Sequence, residues 1–533
     1  MRREVATAPR HYYDYRDGMT LRVVAVAAPE LPGGGLGRHT LKSLDPASLF
    51  NACRVGAERA ERGIGPWGDS NWAVHRTVRR DRVLLMHSLA EDLPQFEELL
   101  ERERPDLLLL GAMSVCLPGA VACASRAREL LGDGVFIVLG GRHATETVYS
   151  AAGVVTHHPA SPARLIAEQF VPPVFDLVIS GEGECVIAEL GEVVARSAAK
   201  HVAADVVAAV RTAPGNWIAS WCEQGAIRSA AGIGPPIDRN SMPLPAELFG
   251  VRAAFDVFDG RLTGHVFSDT GNGCVFDCDF CSERRSITGG LAQLNSAAGR
   301  LARQLRAVHR VIAEDSPARG ASGFVEDSTL LGGSRREINR FANTMRHWGV
   351  DMPFGGQFTI DQILGRFDLL ETLATVGLTY VFIGIETLDP GRIGGMSKDR
   401  RPGWGSWLSR SEEAVARLAD IGVRTGAAVL FGLAEPHRDR LELLSEMARW
   451  RDAYGSPDPI SLNWATQHPL LGNDGGKAYR YHEWSIPSGE WADAFRGFGE
   501  ATVLYPVAHS EPPVLSEVRE LVDLHEQLFK PTM

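Results

Sequence analysis

The sequence has 533 residues, which predicts two or three domains because a single hydrophobic core stops growing beyond about 250 to 300 residues. Hydrophobic residues make up 44% and charged residues 23% of the chain, the composition of an ordinary soluble protein. The formal net charge of -11 and the lack of a Lys/Arg-rich run argue against nucleic acid or an anionic membrane as a partner.

The N-terminal extension, residues 1–20, has no apolar stretch long enough for a signal peptide, which favours a cytoplasmic protein. Residues 107–124 carry no charge, but Gly111, Pro118 and Gly119 interrupt them. We therefore predict a buried strand, a turn and the start of a helix there rather than a membrane span. The cysteines of such a protein are expected to be reduced thiols or metal ligands rather than disulfides.

Residues 21–231 alternate short apolar runs with amphipathic stretches and are predicted to form one domain. This alternation predicts an α/β fold with a doubly wound, Rossmann-like parallel sheet. A ligand of such a sheet binds beyond the carboxyl ends of the strands. The runs predicted as strands are 21–29, 106–114, 135–141 and 176–184.

A Pro/Gly-rich linker is predicted at 232–262, and a second series of strand and helix signals occupies 263–474. Six such units predict a partial β/α barrel with functional groups at the carboxyl ends of its strands. The C-terminal region, 475–533, is less readable. The strands of the second series are predicted at 262–270, 321–328, 352–359, 378–386, 424–433 and 459–466.

Three cysteines lie close together in the stretch CVFDCDFC, after the first strand-like run of the second series. Cys274, Cys278 and Cys281 share one loop, and Gly271 and Gly273 allow that loop to turn tightly. Three thiolates that converge from one loop are typical ligands of a [4Fe–4S] cluster, and they leave one iron open. An open iron can bind a substrate or a second cofactor.

Two other interpretations of these cysteines remain open on the residues alone. A structural zinc site needs four ligands, and a histidine would have to supply the fourth because the other cysteines are scattered. Alternatively the three are packing residues, although free cysteine prefers cores and this loop is rich in Gly and Asp.

The stretch CVFDCDFC resembles the C-x3-C-x-aromatic-C signature of the radical S-adenosylmethionine (SAM) family, with Phe280 at the aromatic position. The resemblance implies a [4Fe–4S] cluster whose open iron chelates SAM and whose electron cleaves it to a 5'-deoxyadenosyl radical. It also implies an external electron donor such as flavodoxin or ferredoxin.

Later strand ends resemble the same family, at residues 323–328, 382–387 and 427–436. The resemblance implies that Glu386 binds the ribose of SAM and that Gln357 and Leu430 line the same mouth. A glutamate at a strand end can also simply cap a neighbouring helix, and this alternative remains open.

Residues 138–147 and 175–190 resemble two segments of the cobalamin-binding domain that precedes the barrel in B12-dependent radical SAM enzymes. Glycines at strand ends let a backbone lie against a large planar ligand. A generic nucleotide fold with glycine turns is the alternative. The residues that the resemblance implies for cobalamin are Ser114, Gly140, Gly141, His143, Thr145, Gly181, Glu182 and Gly183.

The sequence departs from methionine-synthase-type cobalamin domains, because it lacks their D-x-H-x-x-G motif. The nearest match, Asp523 and His525, is not followed by the glycine. His143 is expected to shape the pocket rather than bind cobalt. We therefore expect the lower face of the cobalt to be free of histidine.

Together these resemblances imply a cobalamin-dependent radical SAM C-methyltransferase that acts on a small molecule, as in antibiotic or other secondary-metabolite biosynthesis. One alternative keeps both cofactors but catalyses a cyclisation or rearrangement without methyl transfer. Another is a non-catalytic cobalamin or iron–sulfur sensor module. Residues that either line a substrate pocket or belong to the core are Glu326, Asp327, Trp464, His468, Tyr481, His482 and Trp484.

Overall fold

The structure is a computed structural model. It describes residues 20–29, 44–113, 116–151, 153–196, 202–268, 273–278, 280–281, 283, 285, 291, 293–390, 398, 406–432, 435–464 and 514–529. Ser114, Gly271 and the predicted pocket residues His468, Tyr481, His482 and Trp484 lie outside the described residues, as does the side chain of Trp464.

Among its described residues, the N-terminal part of the chain forms nine strands. They are β1 (Val23–Ala27), β2 (Val83–Leu85), β3 (Leu107–Gly111), β4 (Phe136–Gly140), β5 (Val148–Ala151), β6 (Val154–His157), β7 (Leu177–Gly181), β8 (Trp217–Glu223) and β9 (Ala226–Ala231). Seven of them form one sheet in the order β2-β1-β3-β4-β7-β8-β9, and β5 pairs with β6. The sheet is parallel as far as β7, after which β8 and β9 add antiparallel strands.

Both faces of this sheet are covered. Every residue of β1 is buried, and Val23 and Ala25 belong to a different hydrophobic core from Val24 and Val26. Successive side chains of a strand point to opposite faces, so the two cores lie on opposite sides of the sheet. Burial on both faces accounts for the unbroken apolar run VVAVA.

The edges of the N-terminal sheet differ from its centre. The edge strand β2 has only three residues, and the opposite edge strand β9 is largely exposed and carries Arg228. The order β2-β1-β3-β4-β7 is that of flavodoxin-like sheets, in which ligands bind where the strand order reverses. In this chain the reversal lies between β1 and β3.

The second sheet contains six parallel strands in chain order. They are β10 (Leu262–Val266), β11 (Ala321–Val325), β12 (Phe354–Gln357), β13 (Leu378–Glu386), β14 (Arg424–Phe431) and β15 (Ile460–Trp464). A large core packs between this half-barrel and its helices. A smaller core of Phe255, Val257, Phe258, Phe324 and Tyr380, with Phe382 against it, lies apart from the large one.

The helices, numbered in chain order, separate the strands. They are α1 (Leu44–Glu61), α2 (Gly65–Gly68), α3 (Arg76–Arg79), α4 (Leu89–Glu103), α5 (Leu117–Leu131), α6 (Arg142–Thr147), α7 (Pro162–Ala167), α8 (Glu184–Arg196), α9 (Ala203–Val210), α10 (Pro245–Phe249), α11 (Leu294–Asp315), α12 (Arg335–Trp348), α13 (Ile360–Gly365), α14 (Phe367–Ala374), α15 (Trp407–Asp420), α16 (His437–Tyr454) and α17 (Leu515–Phe529). None of the helices in the described residues is long and apolar enough to cross a membrane.

Helix α11 packs very closely on β10 and β11. A Cβ atom at Gly264 would lie 2.3 Å from Val308, and one at Gly323 would lie 2.4 Å from Leu305. Only glycine allows this approach of helix to strand, so these faces of β10 and β11 are turned towards α11. The alternate residues of both strands are therefore turned towards the interior of the half-barrel.

Arg76 joins the N-terminal sheet region to the half-barrel, and Arg79 ties segments within the N-terminal region. Arg76 binds both carboxylate oxygens of Asp315 at the end of α11, at 2.9 and 2.8 Å, and it also binds Glu314. Arg79 is almost fully buried and donates hydrogen bonds to the carbonyls of Trp72, Val74 and Leu248. Arginine suits this position because its five donors reach several acceptors at once.

The predicted fold class is confirmed, because a parallel sheet of doubly wound order precedes a six-stranded parallel half-barrel. The uncharged stretch 107–124 forms strand β3 and the first part of α5, as predicted. The sequence analysis did not predict β2, the β5–β6 hairpin or the antiparallel extension by β8 and β9. The domain boundaries stay a prediction.

Candidate functional site

The cysteine loop begins at the carboxyl end of β10, where side chains from two other elements hold the backbone. Asp327, just beyond β11, accepts a hydrogen bond from Ser268 N at 2.8 Å. Arg300 on α11 donates to Ser268 O at 2.8 Å, and Gln304 one turn later contacts the backbone of Phe267. Gly273 enters the loop with a φ of 144°, which is unfavourable for other residues.

The three cysteines lie together in this loop. Cys278 is buried against the half-barrel core, and Cys274 and Cys281 are partly buried. A tight turn brings Cys281 N to within 3.1 Å of Cys278 O. Cys274 Sγ lies 3.8 Å from Thr329 Oγ1, which places the loop at the carboxyl ends of β10 and β11.

Three thiols are the candidate metal donors of this loop. Burial raises the pKa of Cys281 to about 12, so a thiolate there needs a compensating cation such as iron. Within the described residues, no group of three or more His, Cys, Asp or Glu residues is arranged to hold one metal ion. In a [4Fe–4S] cluster each cysteine binds a different iron, so the thiolates need not converge on one point.

Glu386 ends β13 in an unusual conformation. Its φ is 64°, in the left-handed region, and the pairing register with β14 shifts between Gly384 and Glu386. Its Oε1 accepts a hydrogen bond from Lys398 Nζ at 2.5 Å. A Cβ atom at Gly384 would lie 2.2 Å from Glu386 Oε1, so this glycine makes room for the ion pair. Local strain of this kind is concentrated at functional sites.

Three other predicted SAM residues lie on different elements around the half-barrel. Gln357 is the last residue of β12, and Leu430 stands next to last in β14, in register with Asn463 of β15. Both are partly exposed. Phe280, in the cysteine loop, packs against the core of the half-barrel. The assignment of these residues to SAM stays a prediction.

At the carboxyl edge of the N-terminal sheet, two glycines are required by the backbone itself. Gly141 has a φ of 94°, and a Cβ atom there would lie 2.6 Å from Ala112 N. Gly181 has a φ of 84°, and a Cβ atom there would lie 2.3 Å from Asn216 O. Both are exposed, so bare backbone is accessible here, as a planar ligand requires. Thr145 Oγ1 joins them, donating to Gly141 O and accepting from Gly181 N, both at 3.2 Å.

The two glutamates of the stretch GEGE, residues 181–184, face protein groups. Glu182 accepts from Asn216 N at 2.9 Å and pairs with Arg239. Glu184 binds the same arginine at 2.7 Å. A Cβ atom added at Gly140 or Gly183 would make only ordinary van der Waals contacts. Steric crowding therefore does not require glycine at these two positions.

His143 is fully buried, and its Nε2 lies 3.0 Å from Ala160 O. Burial lowers the pKa of His143 to about 4, so the ring is neutral at pH 7. The ring therefore supports the backbone behind the strand edge. Its role in shaping a cobalamin pocket stays a prediction.

The sequence analysis missed an ion pair that joins the two regions. Arg142, directly after the glycine pair, donates to Glu146 at 2.7 Å and lies 2.7 Å from Glu283 of the cysteine loop. Burial works against its charge, but Glu283 and then Glu146 raise the pKa of Arg142 above its ordinary value. In the sequence, Arg142 is visible only as a charged residue after the glycine pair, and Glu283 only as one after the cysteine motif. Lys398 was also missed.

The fold of these two regions, a flavodoxin-like sheet followed by a parallel half-barrel, is shared with a solved structure of a cobalamin-dependent radical SAM enzyme. A solved structure of the cobalamin-dependent SAM radical enzyme OxsB, with aqua-cobalamin and SAM bound, matches with a TM-score of 0.50 and 13% identity. The match covers 95% of this chain and 61% of OxsB. At this identity it shows the shared fold.

A second solved structure with a similar arrangement is the radical SAM methyltransferase TsrM from Kitasatospora setae, with a tryptophan substrate and a SAM analogue bound. It matches with a TM-score of 0.48 and 13% identity, over 84% of this chain and 74% of TsrM. No protein-family profile and no curated protein matches the sequence.

Proposed function

We propose that this protein is a cobalamin-dependent radical SAM C-methyltransferase that methylates an unactivated carbon of a small molecule. One observation carries the proposal. The loop with Cys274, Cys278 and Cys281 lies at the carboxyl end of β10, and Arg142 ties it to the glycine-lined edge of the flavodoxin-like sheet. Two cofactor surfaces that are joined in this way suit a reaction that uses both cofactors together.

The residues that would hold the cofactors belong to separate elements. Cys274, Cys278 and Cys281 would bind the cluster, and the mouth with Gln357, Glu386 and Leu430, next to Phe280, would bind SAM. When bound, the cluster and SAM supply a carbon radical, and cobalamin supplies the methyl group. The cobalamin surface would be formed by Gly140, Gly141, His143, Thr145, Gly181, Glu182 and Gly183, together with Ser114.

The chain's own residues would position the cofactors and limit access of water. Arg300 and Asp327 fix the start of the cysteine loop, and burial of Cys278 keeps solvent from one corner of the cluster. Lys398 holds the Glu386 carboxylate in one orientation. Such support fixes the geometry of a site before its ligand arrives.

Anaerobic purification and reconstitution, followed by iron, sulfide and corrinoid analysis, tests both cofactors in one preparation. We expect about four irons and about one corrinoid per chain. A Cys278→Ala variant should lose iron and the reductive cleavage of SAM, while Cys123→Ala, a buried cysteine of the N-terminal core, should retain both. Wild-type protein with zinc in place of iron would refute the proposal.

Methyl transfer requires a separate test. Incubation with methyl-labelled SAM, a reductant and candidate small molecules should give a labelled product. If the label stayed only in methionine or SAM while 5'-deoxyadenosine formed, the result would refute methyl transfer and support a rearrangement or cyclisation. If no SAM cleavage occurred in fully loaded protein, a sensor role would replace catalysis.

A further inference from the structure

A histidine and a glutamate form a buried pair inside the half-barrel. His265 Nδ1 lies 2.6 Å from Glu326 Oε1, and their side chains are 7% and 1% exposed. His265 belongs to β10, and Glu326 directly follows β11. The cysteine loop begins at the carboxyl end of β10 and lies beside the carboxyl end of β11.

The strand pattern turns this pair towards the barrel interior. Gly264 faces helix α11 because of its close approach to Val308, and its neighbour His265 therefore faces the opposite way. In β11, Gly323 likewise faces α11, and Val325 belongs to the large core between the strands and the helices. Phe324 and Glu326 alternate with these two residues and therefore face the barrel interior.

Aromatic side chains surround the histidine on the inner side. The rings of Phe255 and Phe324 lie 6.5 and 6.4 Å from the His265 ring, between centroids. Tyr380 packs edge-on against Phe255 at 5.8 Å. Apolar rings on this side would favour a flat or apolar group beside the imidazole.

The second nitrogen of the histidine is not engaged by protein. A carboxylate oxygen accepts, so the nitrogen that donates to Glu326 Oε1 is Nδ1, and Nε2 is the ring nitrogen left for another partner. Within the described residues, Glu326 is the one hydrogen-bond partner of the His265 ring. Glu326 Oε2 is buried and has no hydrogen-bond partner there either.

A pair with only a structural role would be expected to satisfy its buried oxygen. We propose instead that His265 and Glu326 form a ligand subsite, in which His265 Nε2 accepts a hydrogen bond from an N–H or O–H group attached to an aromatic or apolar body. Glu326 is the positioning residue, because it fixes the ring orientation. The identification of this ligand as the substrate rests on the proposed function, but the subsite itself does not.

Diethyl pyrocarbonate tests the subsite, because the nitrogen lone pair of a neutral imidazole attacks this reagent. Its ethoxycarbonyl group then forms a bond to nitrogen while ethyl carbonate leaves and breaks down to carbon dioxide and ethanol. Reconstituted full-length protein is treated at pH 7, and modification of each histidine is followed by peptide mass spectrometry. Exposed His347 on α12 provides the internal reference for reagent reactivity.

Phenol and anisole are matched probes, because only phenol carries an O–H donor. We expect phenol to protect His265 at concentrations about tenfold lower than anisole, the effect of one hydrogen bond. Neither should protect His347, nor His437, which pairs with Glu520 outside the barrel at 3.0 Å. A Glu326→Gln variant should reduce the preference for phenol.

Two results would overturn the subsite. In one, His265 stays unmodified while His347 reacts; in the other, phenol and anisole protect His265 equally. Iron and corrinoid analysis of the same preparation tests the proposed function separately. Protein without either cofactor would therefore refute that function, while the protection result would still decide the subsite.

Discussion

Arg142 Nη2 lies 2.7 Å from Glu283 Oε1, and this ion pair joins the turn after β4 to the cysteine loop. The pair is partly buried, since the two side chains are 21% and 30% exposed. Glu283 and, to a smaller extent, Cys281 contribute to raising the pKa of Arg142, so the arginine lies close to the cysteine loop. A substitution at the edge of the N-terminal sheet should therefore alter the stability and the midpoint potential of the cluster.

Replacement of Arg142 by Gln should loosen the cysteine loop and remove a positive charge near the cluster. We expect faster loss of iron to a chelator, by several-fold, and a lower midpoint potential, because reduction adds negative charge to the cluster. Chelation kinetics and a redox titration followed by EPR measure the two effects. Arg126→Gln, which removes a partly exposed pair with Glu97, should change neither. An unchanged potential in Arg142→Gln would contradict the electrostatic part.

Replacement of Gly384 by Ala should disturb the mouth of the half-barrel. The added Cβ would lie 2.2 Å from Glu386 Oε1 and 2.5 Å from Lys398 Nζ, so the ion pair must move. We expect SAM to bind about tenfold more weakly, a change that calorimetric titration of the reconstituted protein would measure. Gly299→Ala, in the second turn of α11 with open space around it, is the matched control and should bind SAM normally. Equal affinity in both variants would exclude Glu386 from the SAM site.

Acid should destabilise the protein through His143. Burial lowers its pKa to about 4, while Glu146 and His158 act on it in opposite directions. Between about pH 6.5 and pH 4 the unfolded chain binds a proton that the folded protein does not, so stability is complete above that window and falls with pH. His143 therefore contributes roughly 3 kcal/mol to the pH dependence of the free energy of unfolding across this window.

Urea unfolding of wild type and His143→Gln at pH 4.5 and 7 measures this contribution. The variant keeps a donor for Ala160 O but cannot titrate, so it should lose less stability on acidification than wild type. His75→Gln, at an exposed position, should behave as wild type. The same pH dependence in all three proteins would show that His143 is not the cause.

Replacement of Arg76 by Gln should weaken the junction between the N-terminal region and the half-barrel. The guanidinium binds Asp315 through two hydrogen bonds, and both side chains are mostly buried, at 16% and 13% exposed. Loss of the arginine leaves this carboxylate unpaired, at a cost of roughly 2 kcal/mol in the free energy of unfolding. Arg164→Gln, from an exposed pair with Glu168, should cost no more than about 0.5 kcal/mol. Equal urea midpoints would contradict the expectation.

Local patterns predicted the parts of the fold that depend on burial. All six half-barrel strands were predicted from strand-like runs between turn signals, of which LTYVFIGIE for β13 is the most apolar. The edge strand β9 was missed because an exposed strand such as AIRSAA lacks that apolar character. The three-residue strand β2 was too short to show a pattern.

The candidate site was predictable where one loop carries all the candidate ligands, and it was not predictable where distant segments meet. The spacing of Cys274, Cys278 and Cys281 identified the cysteine loop directly. The pairs of Arg142 with Glu283 and of His265 with Glu326 form only when the chain folds, because no short-range pattern links their members. Gly141 and Gly181 were recognised, but the structure adds a backbone reason for both.

The short strand β2 and the exposed, arginine-bearing strand β9 form the two borders of the N-terminal sheet. Neither is a long apolar edge strand whose unpaired backbone N–H and C=O groups could pair with a strand of another molecule. This sheet is thus protected against edge-to-edge aggregation when the protein is concentrated. Its solubility at high concentration should therefore depend on surface charge more than on strand pairing between molecules.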